Sequence, residues 1–348
     1  MLRSVLAIAG LLALIGLAAA WVHAPYAGFS EPVYVDIPKG TSPQQIGVLL
    51  QDAGVVWNRW QFLDVRIFRP KARLKAGEYV FKQAASPWDV FDRIARGDVF
   101  YYTLPVPEGN NAFDIAAALE RARIMPAADF LAAVRDTSAI RDLDPKAPSL
   151  EGYLFPDTYR LGRHTTAAQL CLRMTERFRK AWRQLGSPKA DVHGTVTLAS
   201  LVEKEAKLPP ERRLIASVFV NRLRIGMALQ CDPTAIYAAL VADKYDGTIH
   251  QSDLDRKQLY NTYQFPGLPP GPIANPGMDS LRAALDPAPT DYLYFVANPD
   301  GSGSHKFSKD LAEHVLAVQQ YRREVKKEER EAGGTGSVSR AGATGTHH

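Results

Sequence analysis

The sequence predicts an α+β protein, in which an apolar amino-terminal helix precedes two folded units of mixed helices and strands. The chain has 348 residues, more than the roughly 250–300 over which one hydrophobic core usually extends, so we expect two folded units. Short β-rich runs alternate with helical patterns that begin at Ser-Pro pairs. The apolar fraction of 46% excludes a disordered chain.

The amino-terminal segment predicts a membrane location. Residues 5–22 form a run of 18 residues without a charged side chain, and a helix needs about 20 apolar residues to cross a bilayer, with about 17 as the lower limit. Arg3 precedes the run, whereas no Lys or Arg follows it before Lys39. The positive-inside rule then predicts a cytoplasmic stub at residues 1–4 and a single-pass anchor at 5–22 in the inner membrane, with the remainder on the periplasmic side. A cleaved signal peptide is the alternative, because Ala18–Ala20 resembles a small-residue cleavage site.

The charged residues and cysteines argue against several classes of function. The 42 basic residues are dispersed among 37 acidic ones, for a net charge of +5, whereas a nucleic-acid site requires a basic stripe. Cys171 and Cys231 are too far apart for a CxxC motif. The sequence has no Walker, Rossmann, haem or metal motif. We therefore expect no cofactor, no metal and no nucleic-acid partner.

The first folded unit is predicted at residues 32–103. A strand-like run at 33–37 precedes Ser42 and Pro43, which predict a helix start because a side-chain cap is followed by proline at the first helical position. Further elements are predicted as a helix at 60–68, a strand at 78–81 and a helix at 88–95 that Gly97 ends.

A larger unit is predicted at residues 104–325. It opens with a strand-like run, a turn containing Gly109 and a helix, a pattern that the first unit shows around Gly40. Later, residues 292–297 and 305–307 are predicted to pair as a hairpin, and Ser308 to cap a long polar helix. Residues 326–348 are predicted to be a polar, largely disordered tail.

One acid group lies on the apolar face of a predicted helix in the stretch 197–206. Three aliphatic residues spaced i, i+3 and i+4 define this face: Leu198, Leu201 and Val202. Glu205 follows at i+7, whereas Glu203 and Lys204 are predicted to point to solvent. Burial raises a carboxyl pKa, and a general acid needs a raised pKa near neutral pH. Glu205 is therefore a candidate catalytic acid.

Two structural roles for Glu205 also remain open. The helix could end near Pro209, which would leave Glu205 in a last turn that reaches solvent. Alternatively, Glu205 could form an ion pair with one of three nearby basic residues, Arg212, Arg213 or Arg222.

The segments that follow are suited to a sugar site. Gln230 has no evident structural role, whereas Asp232 before Pro233 is more typical of a helix N-cap. The aromatic and amide residues of 260–263 precede residues 267–277, which hold four prolines and three glycines and must form a stiff loop. Rings can stack on sugar faces while amides bind hydroxyl groups. An ordinary connection with half-buried tyrosines is the alternative.

Six segments carry a resemblance to a known family. They are EGYLFPDTY at 151–159, ASLVEKE at 199–205, VFVNRLRIG at 218–226, LQCDPT at 229–234, YNTY at 260–263 and the proline-rich loop at 267–277. In this order and spacing they resemble the MltG/YceG family, the membrane-anchored endolytic murein transglycosylases. The resemblance covers residues 1–325. It implies that residues 32–103 are a LysM-like peptidoglycan-binding unit and that residues 104–325 are the catalytic domain.

The resemblance also implies a reaction. Glu205 would act first as general acid and then as general base in cleaving the β-1,4 bond between N-acetylmuramic acid and N-acetylglucosamine of nascent glycan strands, which leaves a 1,6-anhydro end. The implied partners are peptidoglycan strands and, at the membrane, peptidoglycan synthases. Six residues are candidate substrate contacts: Asn221, Gln230, Asp232, Asn261, Thr262 and Tyr263.

Two other functions fit the same residues. A muramidase-type hydrolase would use Asp232 to activate water, although the sequence shows no second acid on an apolar face. A noncatalytic peptidoglycan-binding scaffold would use Glu205 structurally.

Overall fold

The computed structural model describes residues 2–186 and 191–333 of the chain. Its contacts group the chain into two compact units. The first holds residues up to 102 together with 160–164, and the second holds 103–159 and the residues from 165 onward. Helices combine with short strand pairs, so the fold class is α+β, as predicted.

The first unit packs helices against one antiparallel strand pair. Its elements are α1 (Leu2–His23), β1 (Val33–Ile37), α2 (Pro43–Asp52), α3 (Arg59–Phe68), β2 (Gly77–Phe81) and α4 (Pro87–Arg96). Val35 of β1 lies opposite Tyr79 of β2, and both side chains are buried. Ser42 and Ser86 cap α2 and α4 through their side chains, and each is followed by proline, as predicted.

Helix α1 covers the segment at 5–22 that was predicted to be a membrane anchor. Its carboxyl end belongs to the first unit, because the Trp21 ring donates a hydrogen bond to Asp64 and Val22 is buried in the core. None of the helices within residues 2–186 and 191–333 combines the length and apolar character that a membrane crossing demands. The predicted transmembrane span is therefore not confirmed.

The second unit consists mainly of helices. The elements that lie wholly or mostly in it are β3 (Tyr102–Val106), α5 (Ala112–Arg121), α6 (Ala127–Val134), β4 (Asp157–Leu161), α7 (Ala167–Gln184), α8 (Val192–Glu205), α9 (Arg212–Arg224), α10 (Asp232–Val241), α11 (Gln251–Leu254), α12 (Met278–Leu285), β5 (Tyr294–Ala297), β6 (His305–Ser308) and α13 (Leu311–Gly333). Residue 102 of β3 and residues 160 and 161 of β4 belong to the first unit. Strand β3 pairs with β4, and β5 pairs with β6. The repeated strand–turn–helix pattern is present, because β1 leads to α2 through Gly40 and β3 leads to α5 through Gly109. Both glycines have positive φ, 84° and 79°.

At the carboxyl end of the chain, the predicted cap of the last helix is wrong and the predicted disordered tail is partly helical. The hairpin of β5 and β6 forms as predicted, but Ser308 ends β6 instead of capping α13. Asp310 takes the capping role, because its carboxylate accepts a hydrogen bond from the Glu313 backbone N–H at 2.9 Å. Helix α13 reaches Gly333, so residues 326–333 of the predicted tail are helical. The rest of that tail, 334–348, lies outside the described residues.

Candidate active site

Glu205 is the last residue of α8, on the face that the helix phase predicts. Leu201 and Val202 of that face are fully buried in a core that α8 shares with α9 and the proline-rich loop. The backbone leaves the helix at Ala206, which is itself buried. Glu205 therefore lies in the last turn, as one structural alternative proposed, but its side chain is half-buried and not fully exposed.

The surroundings of Glu205 favour its neutral form. Loss of hydration raises the pKa of this carboxyl group to about 7. The Cys231 thiol, which donates a hydrogen bond to Oε1 across 3.2 Å, opposes this rise and is the next largest influence. Nearby Asp232 raises the pKa further, whereas Arg222 and Lys207 lower it. Desolvation outweighs the opposing contacts, so Glu205 can hold a proton near neutral pH and release it there.

Glu203, two residues earlier, was predicted to be solvated, and this is wrong. Its side chain is 6% exposed, and Oε2 accepts a hydrogen bond from the Gly277 backbone N–H at 2.9 Å, at the start of α12. A carboxylate at a helix amino terminus satisfies a free donor and complements the helix dipole. Lys204 is exposed as predicted.

The arginines considered as ion-pair partners of Glu205 bind other groups. Arg212 lies 3.5 Å from Glu203, and Arg213 binds Asp286 at 2.8 Å. Arg222 is buried and donates to the backbone carbonyl groups of residues 228, 229 and 293. Within the described residues, Arg222 is the one of the three whose charge lowers the pKa of Glu205.

Asp232 is not the helix N-cap that the sequence predicts. The N-cap of α10 is Cys231, Asp232 is the first helical residue, and Pro233 follows it. The Asp232 carboxylate accepts a hydrogen bond from the Tyr263 hydroxyl group. The charge of Asp232 raises the pKa of Glu205, and the charge of Glu205 raises the pKa of Tyr263. The structure therefore brings these three predicted site residues together.

Gln230 has a structural feature that the sequence did not predict. Its φ of 49° lies in the left-handed region, which residues other than glycine rarely adopt. Its side chain is exposed and lines a cavity of about 400 Å³ together with Met227, Tyr294 and residues of α13. Strained backbone of this kind clusters at functional sites, and Gln230 directly precedes Cys231.

The other three candidate substrate contacts are buried and bound within the protein. Asn221 donates to the backbone carbonyls of Thr290 and Tyr292, and is 6% exposed. The Asn261 amide donates to three backbone carbonyls, and its side chain is fully buried. Thr262 is 1% exposed and accepts a hydrogen bond from the Cys231 backbone N–H. These contacts give each residue a structural role, and their contact with substrate stays a prediction.

The proline-rich loop at 267–277 is irregular, as predicted, and one amide ties it down. Asn275 is fully buried; its Oδ1 accepts hydrogen bonds from the backbone N–H groups of Gly152 and Leu154, at 2.8 and 2.9 Å. Its Nδ2 donates to the Asn110 carbonyl and to Glu151 Oε1, at 2.9 Å each. Sequence reasoning identified the loop but not Asn275, although an amide within a rigid proline-rich loop is a usable signal.

Glu151 is a further buried acid that the helix-face pattern did not predict, because it lies outside the helices. It is 1% exposed and accepts hydrogen bonds from the Ala112 N–H and the Tyr237 hydroxyl in addition to Asn275. Desolvation raises its pKa to about 7 despite these donors. Protein donors bind both oxygens of Glu151, whereas part of the Glu205 side chain is exposed to solvent.

Within the described residues, no group of three or more His, Cys, Asp or Glu side chains is arranged to hold a metal ion. Cys171 and Cys231 are both buried free thiols.

Comparison with known proteins points to one family. The model of the YceG-like family matches residues 35–320. The chain is 33% identical over 309 residues to the endolytic murein transglycosylase of Bacillus subtilis strain 168, which covers 83% of this chain and 84% of that protein. It is 30% identical over 321 residues to the endolytic murein transglycosylase of Streptococcus pneumoniae strain D39, covering 81% of this chain but 58% of that protein.

A solved structure agrees with the sequence comparison. The crystal structure of a YceG-like protein from Listeria monocytogenes is similar to this chain with a TM-score of 0.55 and 34% sequence identity, over 82% of this chain and 99% of that one. The family match spans most of the chain and includes the segment that carries Glu205. The chain therefore belongs to the YceG-like family.

Proposed function

We propose that this protein is an endolytic murein transglycosylase that cleaves glycan strands with Glu205 as its acid and base. The observation that carries the proposal is the position of Glu205. Its carboxyl group ends a buried helix, keeps part of its surface exposed, and has a pKa of about 7 because of desolvation. The names of the Bacillus and Streptococcus relatives support the same reaction class.

The proposed reaction needs a single acid group. Protonated Glu205 donates its proton to the glycosidic oxygen as the bond to C1 of N-acetylmuramic acid breaks. The C6 hydroxyl of the same sugar then attacks C1, and the Glu205 carboxylate accepts the hydroxyl proton. The strand ends in a 1,6-anhydro sugar, no water is consumed, and Glu205 is protonated again. The nucleophile lies within the substrate, so proximity replaces a second carboxylate.

A hydrolase that uses Asp232 is the second candidate, since Asp232 lies close enough to Glu205 to raise its pKa. Two carboxyl groups are the usual requirement for glycoside hydrolysis. However, the Asp232 carboxylate is engaged by Tyr263. The products distinguish the two reactions, because hydrolysis leaves reducing ends and transglycosylation leaves anhydro ends.

The decisive experiment compares Glu205→Gln with the wild-type chain by mass analysis of digested, purified glycan strands. We expect the variant to keep its fold and its glycan binding but to lose at least about 100-fold in cleavage rate, because the proton donor is absent. Glu203→Gln is the matched control: it neutralises the neighbouring acid of α8, can still accept from Gly277, and should keep most activity. Release of anhydro products by Glu205→Gln at the wild-type rate would refute the proposal. A wild-type chain that binds glycan but does not cleave it would favour the noncatalytic scaffold.

We also propose that the protein works outside the cytoplasm, at the inner membrane and close to the peptidoglycan synthases. The support is the substrate in the relatives' names, since murein is the wall polymer, together with the positive-inside pattern around residues 5–22. Cell fractionation combined with protease treatment of intact spheroplasts checks this location, and recovery of the full chain in the cytosol would contradict it.

A further inference from the structure

The contact between Cys231 and Glu205 distinguishes the two oxygens of the carboxyl group. Sγ of Cys231 lies 3.2 Å from Oε1 and donates to it. Burial raises the pKa of this thiol well above its ordinary value, so the sulfur keeps its proton and acts as a donor. Oε1 is consequently an acceptor. In the neutral carboxyl group the proton then belongs on Oε2.

Two threonines hold Cys231 in the position that this contact requires. Its backbone N–H donates to Thr262 Oγ1 at 3.0 Å, and its carbonyl accepts from Thr234 Oγ1 at 2.6 Å. Thr234 uses its single hydroxyl hydrogen in that bond, so in the 2.8 Å contact between the two hydroxyl groups the donor is Thr262. Every hydroxyl hydrogen of this pair has a defined direction, and the Cys231 side chain is 1% exposed.

The residue before Cys231 adds to this constraint. Gln230 has the positive φ of 49°, and its backbone N–H donates to the Thr262 carbonyl at 3.3 Å. A residue other than glycine keeps the left-handed backbone conformation only where its surroundings stabilise it. The chain therefore enters Cys231 along a path that its neighbours determine, and the thiol has little freedom to turn away from Glu205.

We propose that Cys231 is a positioning residue, whose thiol binds Oε1 of Glu205 and so leaves Oε2 to carry the proton that the reaction transfers. The inference rests on the proposed role of Glu205. No bond to Cys231 forms or breaks, and its thiol keeps its proton throughout. When Glu205 is ionised, the same S–H group stabilises the carboxylate, which lowers the carboxyl pKa against the effect of desolvation.

Other charged and titratable groups also act on Glu205 and must be held constant. They come from each neighbouring segment: Lys207 after α8, Arg222 of α9, Asp232 of α10 and Tyr263 of the loop that follows α11. Substitution at Cys231 alone leaves all four in place, so its effect on the pH profile is attributable to the thiol.

Two variants should move the pH profile in opposite directions. Cys231→Ala removes the donor, so we expect the basic limb of the kcat profile to shift up by roughly 0.5–1 pH unit and kcat to fall about fivefold to tenfold, because the carboxyl group loses its orientation. Cys231→Ser keeps a donor, and a hydroxyl group donates more strongly than a thiol, so it should keep most activity and shift the limb down. Cys171→Ala is the matched control, because Cys171 is the other buried free thiol and lies on α7, and it should leave the limb in place.

Infrared spectroscopy of the S–H stretching band gives a readout that does not depend on cleavage. Cys171→Ala assigns the band of Cys231, and we expect that band to shift as pH rises through the pKa of Glu205, because a carboxylate is a stronger acceptor than a carboxylic acid. In Glu205→Gln the band should not respond to pH. The inference is overturned if the Cys231 band does not change with pH. It is also overturned if the basic limbs of the Cys231→Ala and Cys231→Ser profiles shift in the same direction or do not shift. Either result would stand even if Glu205 proves essential. A responsive band in a protein that cleaves no glycan would instead refute the proposed function.

Discussion

Glu205 shows how far a single residue can be assigned from sequence. The i, i+3, i+4 spacing of aliphatic residues predicts the side of α8 on which it lies, and the structure confirms that side. The same reasoning failed for Glu203, because periodicity describes one helix and not the neighbours that pack against it. The amino terminus of α12, which binds Glu203, comes from more than 70 residues later in the chain.

The raised pKa of Glu205 predicts a pH-dependent stability. In the unfolded chain this carboxyl group ionises near 4.5, and in the folded protein near 7, so the unfolded state binds fewer protons between these values. Stability is therefore lost as pH rises from 4.5 to 7. Glu205→Gln removes this loss, and we expect it to unfold at higher urea than wild type at pH 8, by about 1–3 kcal/mol in free energy, with little difference at pH 4.5.

Urea unfolding at the two pH values measures this effect. Asp157→Asn serves as control, because the pKa of Asp157 is lowered by Arg177 and neutralising it should bring no gain at pH 8. Equal unfolding midpoints for Glu205→Gln and wild type at pH 8 would show that the carboxyl group is hydrated in the folded state.

At the scale of elements, the helix starts of the first unit followed local sequence, whereas those of α10 and α13 differ by one or two residues from the predicted caps Asp232 and Ser308. Ser42 and Ser86 act as caps because the whole signal lies within four residues. The stiffness of the loop at 267–277 was also predictable, since proline restricts φ and removes donors. What the loop binds was not, because Asn275 joins segments near residues 110 and 152 that are distant in sequence.

The Asn275 contacts predict a large loss of stability on substitution. Asn275→Ala leaves two backbone N–H groups and one carboxylate oxygen without their partner in a buried position, whereas the Asn110 carbonyl keeps the bond from the Asn275 backbone N–H. We expect unfolding to become easier by about 2–4 kcal/mol. Thermal unfolding followed by circular dichroism tests this, with Asn298→Ala as the control, since the Asn298 amide donates only to the Ser304 hydroxyl among the bonds described for it. A loss no greater than that of the control would contradict the prediction.

At the scale of the whole molecule, sequence length and motif order predict two units and the family, and the comparisons confirm the family. The set of residues that belong to the first unit was not fully predictable, because residues 160–164 join it although they follow the start of the second unit in sequence. Within this unit Arg163 lies 3.2 Å from Glu78 of β2, a contact between residues distant in sequence that local patterns do not encode. The wall-binding role of the first unit stays a prediction.

That role can be tested at a cavity of the first unit. The cavity has a volume of about 410 Å³ and lies between β1 and α2, lined by Asp36, Pro38, Thr41, Gln45, Val48 and Leu49. Val48→Arg would fill it, and we expect severalfold weaker co-sedimentation with insoluble peptidoglycan. Gln44→Arg adds the same charge at an exposed position of α2 and should bind normally. Both substitutions belong in a Glu205→Gln background so that the polymer stays intact, and unchanged binding by Val48→Arg would place the wall contact elsewhere.

The location of Glu205 at the carboxyl end of α8 has a consequence for the second half of the proposed catalytic cycle. The last carbonyl groups of a helix carry partial negative charge, so an anion formed there is repelled by its own backbone. In the proposed mechanism, this repulsion would make the carboxylate a stronger base after the first proton leaves, which would favour uptake of the next proton from the attacking hydroxyl group. The enzyme would thus regain its starting charge within each turnover, with no proton borrowed from the buffer.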